Sequence, residues 1–371
     1  MAARLNADLP ALLDGAPWAF VSACLAGQTA TWLWNAPHPA RDAGGPIDPA
    51  LTPERVAADT VLRWGSLAKP VTALMVLRLV ALGKLGLDDR AVARSASFAP
   101  SRRQGRGLGA GRITIRHLLT HTSGMGVARY AGIDWDSRRP RAADLLSSDR
   151  PPHRWSLAHG PGTAFTYGSA AYLWLQSIIE DLTGEPFERA ARSLLLDPLE
   201  LPDVAFLGDG PAPGPIAWGL GEDQRAISPR RSPAPAATGL FAPPGDVTRL
   251  LGGLVSPGSP LERLLGAELL ASSLENHTPF ATEAWGLGWR LQESDDGPVF
   301  RHAGWPDGCT AYVEGVPRLG LITCLQIGRS GARRALARIA QIARWHARQP
   351  ETPVLGEDQP PSASGVARPV D

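Results

Sequence analysis

Strand-like text stands at the two ends of this 371-residue chain, and the long middle reads mostly as helix and loop. Near the amino end, AFVSACLAGQTATWLW (19–34) reads as two short strands with a turn near Gly27-Gln28. The last third carries four more such runs, WGLGWRLQ (285–292), PVFRHAG (298–304), CTAYVEG (309–315) and GLITCLQIG (320–328), each bounded by turn residues. Strands this far apart in sequence can bury their faces together only if the two ends meet. The expected architecture is therefore α/β (α+β), with an antiparallel sheet built from both termini, flanked by helices, and a helical lobe inserted between. The expected boundaries are one domain over 1–348, its sheet lobe about 1–75 and 270–348 and its helical lobe about 76–269. The tail at 349–371, rich in Pro, Ser and Glu, reads as disordered.

The helices are marked by their stops and caps. WGSLAKPVTALMVLRLVALGKLG predicts a helix from about Ser66 to Leu82, ended by Gly83, with Pro70 tolerated in the first turn. Its apolar residues surround most of the axis, so it should be buried on all sides. ITIRHLLTH predicts a short helix capped by Thr114, and another begins after Tyr167-Gly168 with Ser169 as candidate cap. Further helices are expected around Asp246–Leu254 and at 332–347, the last with Leu336, Ile339, Ile342 and Ala343 on one face.

Composition excludes several classes of function. Lys and Arg total 37 against 36 Asp and Glu, a net charge of +1, which removes the electrostatic case for a nucleic-acid or anionic-membrane partner. Cys24, Cys309 and Cys324 are sparse and form no CxxC spacing, so they read as buried structural thiols rather than a disulfide framework or zinc site. Asp8, Pro10 and Asp14 interrupt any apolar leader, and no apolar run approaches the roughly 18 residues a membrane span needs. A cytoplasmic protein without metal or organic cofactor is the expectation.

Chemistry concentrates at Ser66-Leu67-Ala68-Lys69. Residues i and i+3 share a helix face, so the Lys69 amine can approach the Ser66 hydroxyl. A hydroxyl is a weak nucleophile until a neighbouring base takes its proton, and burial lowers a lysine's pKa towards that task. In so apolar a helix Lys69 has few routes to solvent. Tyr167, just before an apolar helix, supplies a phenol for a second proton shuttle. His302-Ala303-Gly304 sits on a predicted strand where small residues let a substrate approach the backbone.

Together these stretches resemble the serine β-lactamase and penicillin-binding-protein superfamily, in its class C-like branch of esterases, D-aminopeptidases and acyltransferases. The resemblance spans roughly Trp18–Gly328: WGSLAKPVTAL, ITIRHLLTHTSGM, PGTAFTYGSAAY, AATGLFAPPGDVTRLL, WGLGW and RHAGW run in the family order. It implies Ser66 as the acylated nucleophile, Lys69 as its base and Tyr167 as shuttle to the leaving group. The backbone N–H groups of Ser66 and Trp305 would hold the oxyanion, with Ser169, His302, Gly304 and Trp305 lining the substrate. Two departures bear on specificity. The family's Tyr-x-Asn is here Tyr167-Gly168-Ser169, which removes an amide that recognises acylamino groups. The family's Lys-Thr-Gly is His302-Ala303-Gly304, and a neutral histidine anchors a carboxylate poorly.

The expected activity is acyl transfer from a small-molecule donor to water, an amine or an alcohol, the last two suiting an enzyme that tailors a natural product. The alternatives are a β-lactamase or D-aminopeptidase, and a non-catalytic binder that keeps the cleft.

Other residues invite competing readings. His117 and His121 have i, i+4 zinc spacing but no intervening glutamate, so a structural role is favoured. GxSxG is absent, and SRRQGRGLGAGR (101–112) lacks the Lys-Ser/Thr of a phosphate loop. Trp64, Trp285, Trp289 and Trp305 flank the motifs and are candidates for the cleft wall, whereas Trp174 and Trp345 read as core. Arg301 offers a carboxylate ligand, but on a strand it should face away from His302.

Overall fold

The computed structural model describes residues 13, 15–36, 55–101, 109–126, 130–148, 153–209 and 215–348. Most of the 101–112 loop and all of the 349–371 tail lie outside them. Six antiparallel strands form the main sheet in the order β2-β1-β11-β10-β9-β8. β1 (Trp18–Leu25) and β2 (Gln28–Asn35) come from the amino end, and β1 pairs directly with β11 (Leu321–Ile327), Ala19 opposite Ile327. β10 (Thr310–Val316), β9 (Val299–Gly304) and the short β8 (Arg290–Gln292) complete it. The two ends of the chain therefore meet, and the sheet is assembled as the sequence predicts.

Both faces of this sheet are covered, which is why its central strands read as nearly continuous apolar runs. Ala19, Val21 and Leu325 face the helix Arg333–Ala347, which buries Leu336, Ile339 and Ala343 against them. Phe20, Cys24, Ile322 and Cys324 face the larger core shared with the helical part. All three cysteines are free and buried, and burial pushes Cys309 and Cys324 up to about 12. Trp174 is buried, but Trp345 lies 44% exposed, off the apolar face of its helix. The expectation of a core role for Trp345 is corrected.

A second sheet, β3-β7-β4, joins β3 (Leu62–Gly65) to β7 (Leu240–Ala242) and β4 (Ala205–Phe206), and β5 (Gly219–Leu220) pairs with β6 (Ala226–Ile227). Two helices matter most for the site. α1 (Ala68–Ala81) is buried over most of its surface and ends in a Schellman turn: Gly83, at φ +67°, donates to Val80, and Lys84 to Leu79. α2 (Ser169–Thr183) ends at Gly184, φ +70°. Thr114 caps the helix Ile115–Leu119 as expected, its hydroxyl accepting from His117 N at 3.2 Å.

Three local expectations are corrected. Ser66 precedes α1 instead of opening it, because the chain turns through Gly65 at φ +56°. Ser169 is the first residue of α2, one place inside the helix, and Gly168 holds the cap position. The predicted strand 285–292 shrinks to Arg290–Gln292. Gly288, at φ +93°, bends the preceding segment onto α1, and a Cβ there would stand 2.8 Å from that of Ala73.

Candidate active site

β3 delivers Ser66 to the mouth of the site. The turn at Gly65 needs glycine twice over: its φ is positive, and a side chain there would press on Pro306, 3.0 Å away. Ser66 O accepts from Lys69 N at 3.0 Å, closing a turn that leads into α1 and keeps both side chains on one side. Lys69 is wholly buried. Its Nζ donates to Ser66 Oγ (3.2 Å), Ala237 O (3.0 Å) and Ser169 Oγ (3.4 Å). None of these acceptors is a carboxylate, so nothing repays the lost hydration of the charge. Burial accordingly brings the Lys69 pKa down from 10.5 to about 7. A neutral amine keeps two N–H donors and gains a lone pair, and of the three partners only the two hydroxyls can donate into it.

Tyr167 packs over this amine, its ring centroid 5.0 Å from Nζ. Its hydroxyl is buried without a well-formed hydrogen bond, and burial raises its pKa to about 12, an effect the nearby Ser66 hydroxyl partly opposes. Ser169, in place of the family asparagine, is buried, and its Oγ accepts from Lys69 Nζ at 3.4 Å.

β9 closes the opposite wall. His302 is buried, and its Nδ1 lies 2.9 Å from Ala303 O, an acceptor, so Nδ1 carries the proton. Burial, with Lys69 nearby, lowers its pKa to about 3, so the imidazole is neutral at pH 7. Gly304 runs against the nucleophile: a Cβ here would fall 2.3 Å from Trp64 O and 3.4 Å from Ser66 N. The end of β9 therefore lies beside the Ser66 amide. Trp305, 38% exposed, stacks under Arg333, whose guanidinium carbon is 4.8 Å from the ring centroid. The structure thus brings Ser66, Lys69, Tyr167, Ser169, His302, Gly304 and Trp305 to one place.

A cavity of about 690 Å³ opens beside them, walled by Tyr167, Trp285, His302 and Trp305. Trp285 and Trp305 line it as expected. Trp64 and Trp289 do not: both are wholly buried, Trp64 donating to Ala242 O at 3.0 Å and Trp289 packing edge-on against Phe300. Arg301 alternates away from His302 along β9, yet it lines the same cavity. β8 pairs with β9 only as far as Arg301, so among the described residues no strand continues that pairing along His302–Gly304, and Arg301 and His302 both reach the cavity. Sequence reasoning missed Phe165, Tyr312 and Arg333 as wall residues, since only the closure of the last helix over the sheet brings Arg333 there. His117 and His121 do not converge on a metal. His117 Nδ1 accepts from Thr114 N, and His121 packs on Tyr167.

The family model described as Beta-lactamase matches residues 29–343. The chain belongs to the beta-lactamase family of serine hydrolases. Penicillin-binding protein 4 of Amycolatopsis lactamdurans is 30% identical over 300 residues, covering 73% of this chain and 72% of that protein. Esterase EstB of Burkholderia gladioli is 35% identical over a shorter 162 residues, 41% of this chain and 40% of the esterase. Among solved structures, SurE superposes with a TM-score of 0.71 at 24% identity, covering 94% of this chain and 76% of its own. A class C beta-lactamase mutant gives 0.72 at 14% identity, covering 91% and 95%, a likeness of fold. Among the described residues no helix is long and apolar enough to cross a membrane.

Proposed function

We propose that this family member forms an acyl-enzyme on Ser66 from a small-molecule ester or amide and passes the acyl group to water, an amine or an alcohol. The observation that carries the reading is the buried Lys69 amine, with a pKa of about 7, standing 3.2 Å from Ser66 Oγ. Neutral Lys69 takes the hydroxyl proton as Oγ attacks the carbonyl carbon. The carbonyl oxygen, now negative, is received by the N–H groups of Ser66 and Trp305. As the carbonyl re-forms, the bond to the leaving oxygen or nitrogen breaks. Tyr167 gives that atom its proton and takes one from Lys69. The acceptor then attacks the acyl carbon, its proton returns along the same route to Ser66 Oγ, and the acyl group leaves.

Ester substrates are favoured over β-lactams and peptides. The Ser169 hydroxyl is turned to Lys69, where the family asparagine would offer an amide to an acylamino group. A neutral His302 supplies no positive charge for the carboxylate such substrates carry. The similarity to Esterase EstB supports the same preference.

The test is turnover of short p-nitrophenyl and methyl esters, followed by product analysis with and without added amines and alcohols. Ester cleavage by the wild type, absent in Ser66→Ala, is expected. An amide or new ester product would make the chain an acyltransferase, the activity that suits tailoring of a natural product. Cleavage that survives in Ser66→Ala would overturn the proposal.

A further inference from the structure

Tyr167 is held from both sides by one residue, His121. The Thr166 amide, just before it, donates to His121 O at 2.8 Å. The Gly168 amide, just after it, donates to His121 Nδ1 at 3.4 Å. The imidazole also lies against the phenol itself, ring centroids 4.3 Å apart, and is backed by Trp285 at 5.2 Å. His121 is wholly buried and adopts φ +57°, a left-handed conformation that non-glycine residues rarely hold without support. The residues that follow continue the support: Thr122 O accepts from Gly162 N at 2.8 Å and Gly124 O from Ala158 N at 2.9 Å. The Thr120–Gly124 turn thus splints the loop that ends in Tyr167. Its one buried imidazole lies within the field of Lys69 and His302.

We propose that His121 is a positioning residue for Tyr167, fixing the main chain on both sides of the phenol and so setting where its hydroxyl stands against Ser66 and Lys69. The inference rests on the reading of Tyr167 as the proton shuttle. Because Nδ1 accepts a backbone N–H, the ring works as the Nδ1-unprotonated tautomer. Asparagine at 121 would keep both an acceptor near that place and tolerance for the left-handed backbone. Glycine would keep the backbone and lose the acceptor and the ring.

The test combines turnover with a measurement that needs none. His121→Gly should lower kcat for p-nitrophenyl acetate by about 10²-fold with little change in KM, the cost of a misplaced catalytic group. His121→Asn should recover most of that loss. In a Tyr167→Phe background, His121→Gly should cost no more than about twofold, because the hydroxyl it positions is gone. Independently, amide hydrogen exchange at Gly168 should accelerate about fivefold in His121→Gly and not in His121→Asn. Unchanged Gly168 exchange in His121→Gly would overturn the proposal whether or not the wild type is acylated. So would an equal loss of kcat with and without the Tyr167 hydroxyl. A wild type that cleaves no ester but shows the Gly168 effect would instead refute the functional reading and leave the clamp established.

Discussion

Lys69 Nζ lies 3.2 Å from Ser66 Oγ, in a pocket whose other polar partners for the amine are a hydroxyl and a carbonyl. This placement sets the pH dependence. With Lys69 near 7 and Tyr167 near 12, kcat/KM should rise with pH through about 7 and then stay level to at least pH 10. A stopped-flow pH profile with p-nitrophenyl acetate, corrected for background hydrolysis, checks it. A rate that keeps climbing to pH 10 would mean that the phenolate, not the amine, is the base.

The same amine should cost stability. Unfolded, Lys69 titrates at its ordinary 10.5; folded, at about 7, so the unfolded chain binds more protons between those values. Its contribution to stability therefore increases as pH rises from 7 to 10.5, by up to about 5 kcal/mol. Lys69→Met should abolish turnover while raising Tm at pH 6, and its advantage should shrink towards pH 10. Thermal unfolding of both proteins at the two pH values measures the difference.

Ser169→Ala removes one partner of the Lys69 amine without touching Ser66 or Tyr167. Loss of one buried hydrogen bond is worth about 1 kcal/mol, so a drop in kcat/KM of about fivefold is expected. A loss beyond about 10²-fold would mean that Ser169 itself takes part in proton transfer.

Gly304→Ala would drive a methyl group to 2.3 Å from Trp64 O. The end of β9 would have to move away from Ser66, at a cost of about 1–3 kcal/mol. We expect a lowered Tm together with near-complete loss of ester cleavage. Full activity in this variant would show that β9 does not help form the oxyanion site.

The pairing of the two chain ends was legible because β1 and β11 are mostly apolar, broken only by Ser22, Thr323 and Gln326, and the candidates Ser66, Lys69 and Tyr167 were legible from their spacing and neighbours. What was hidden depended on tertiary closure. Trp64 and Trp289 adjoin the motifs in sequence, but the chain turns them into the core. Arg301 alternates away from His302, yet both line the cavity where the pairing with β8 stops. The shortening of β8 follows from Gly288, whose value lies in a close approach to α1 that no local pattern reports. Ser169 looked like a cap by residue type, but the helix begins at Ser169 itself with Gly168 as cap, and its contact with Lys69, a hundred residues earlier, is tertiary. Trp345 is different: its offset from Leu336, Ile339 and Ala343 is visible in the helical period, and periodicity should have outweighed its size.

The most direct test of the account is to trap the protein with p-nitrophenyl acetate by acid quench and map the acetyl group by peptide mass spectrometry. A single acetyl group on Ser66 is expected, absent in Ser66→Ala and also in Lys69→Met quenched over the wild type's turnover time. Acetylation at another residue, or an adduct that persists in Ser66→Ala, would contradict it.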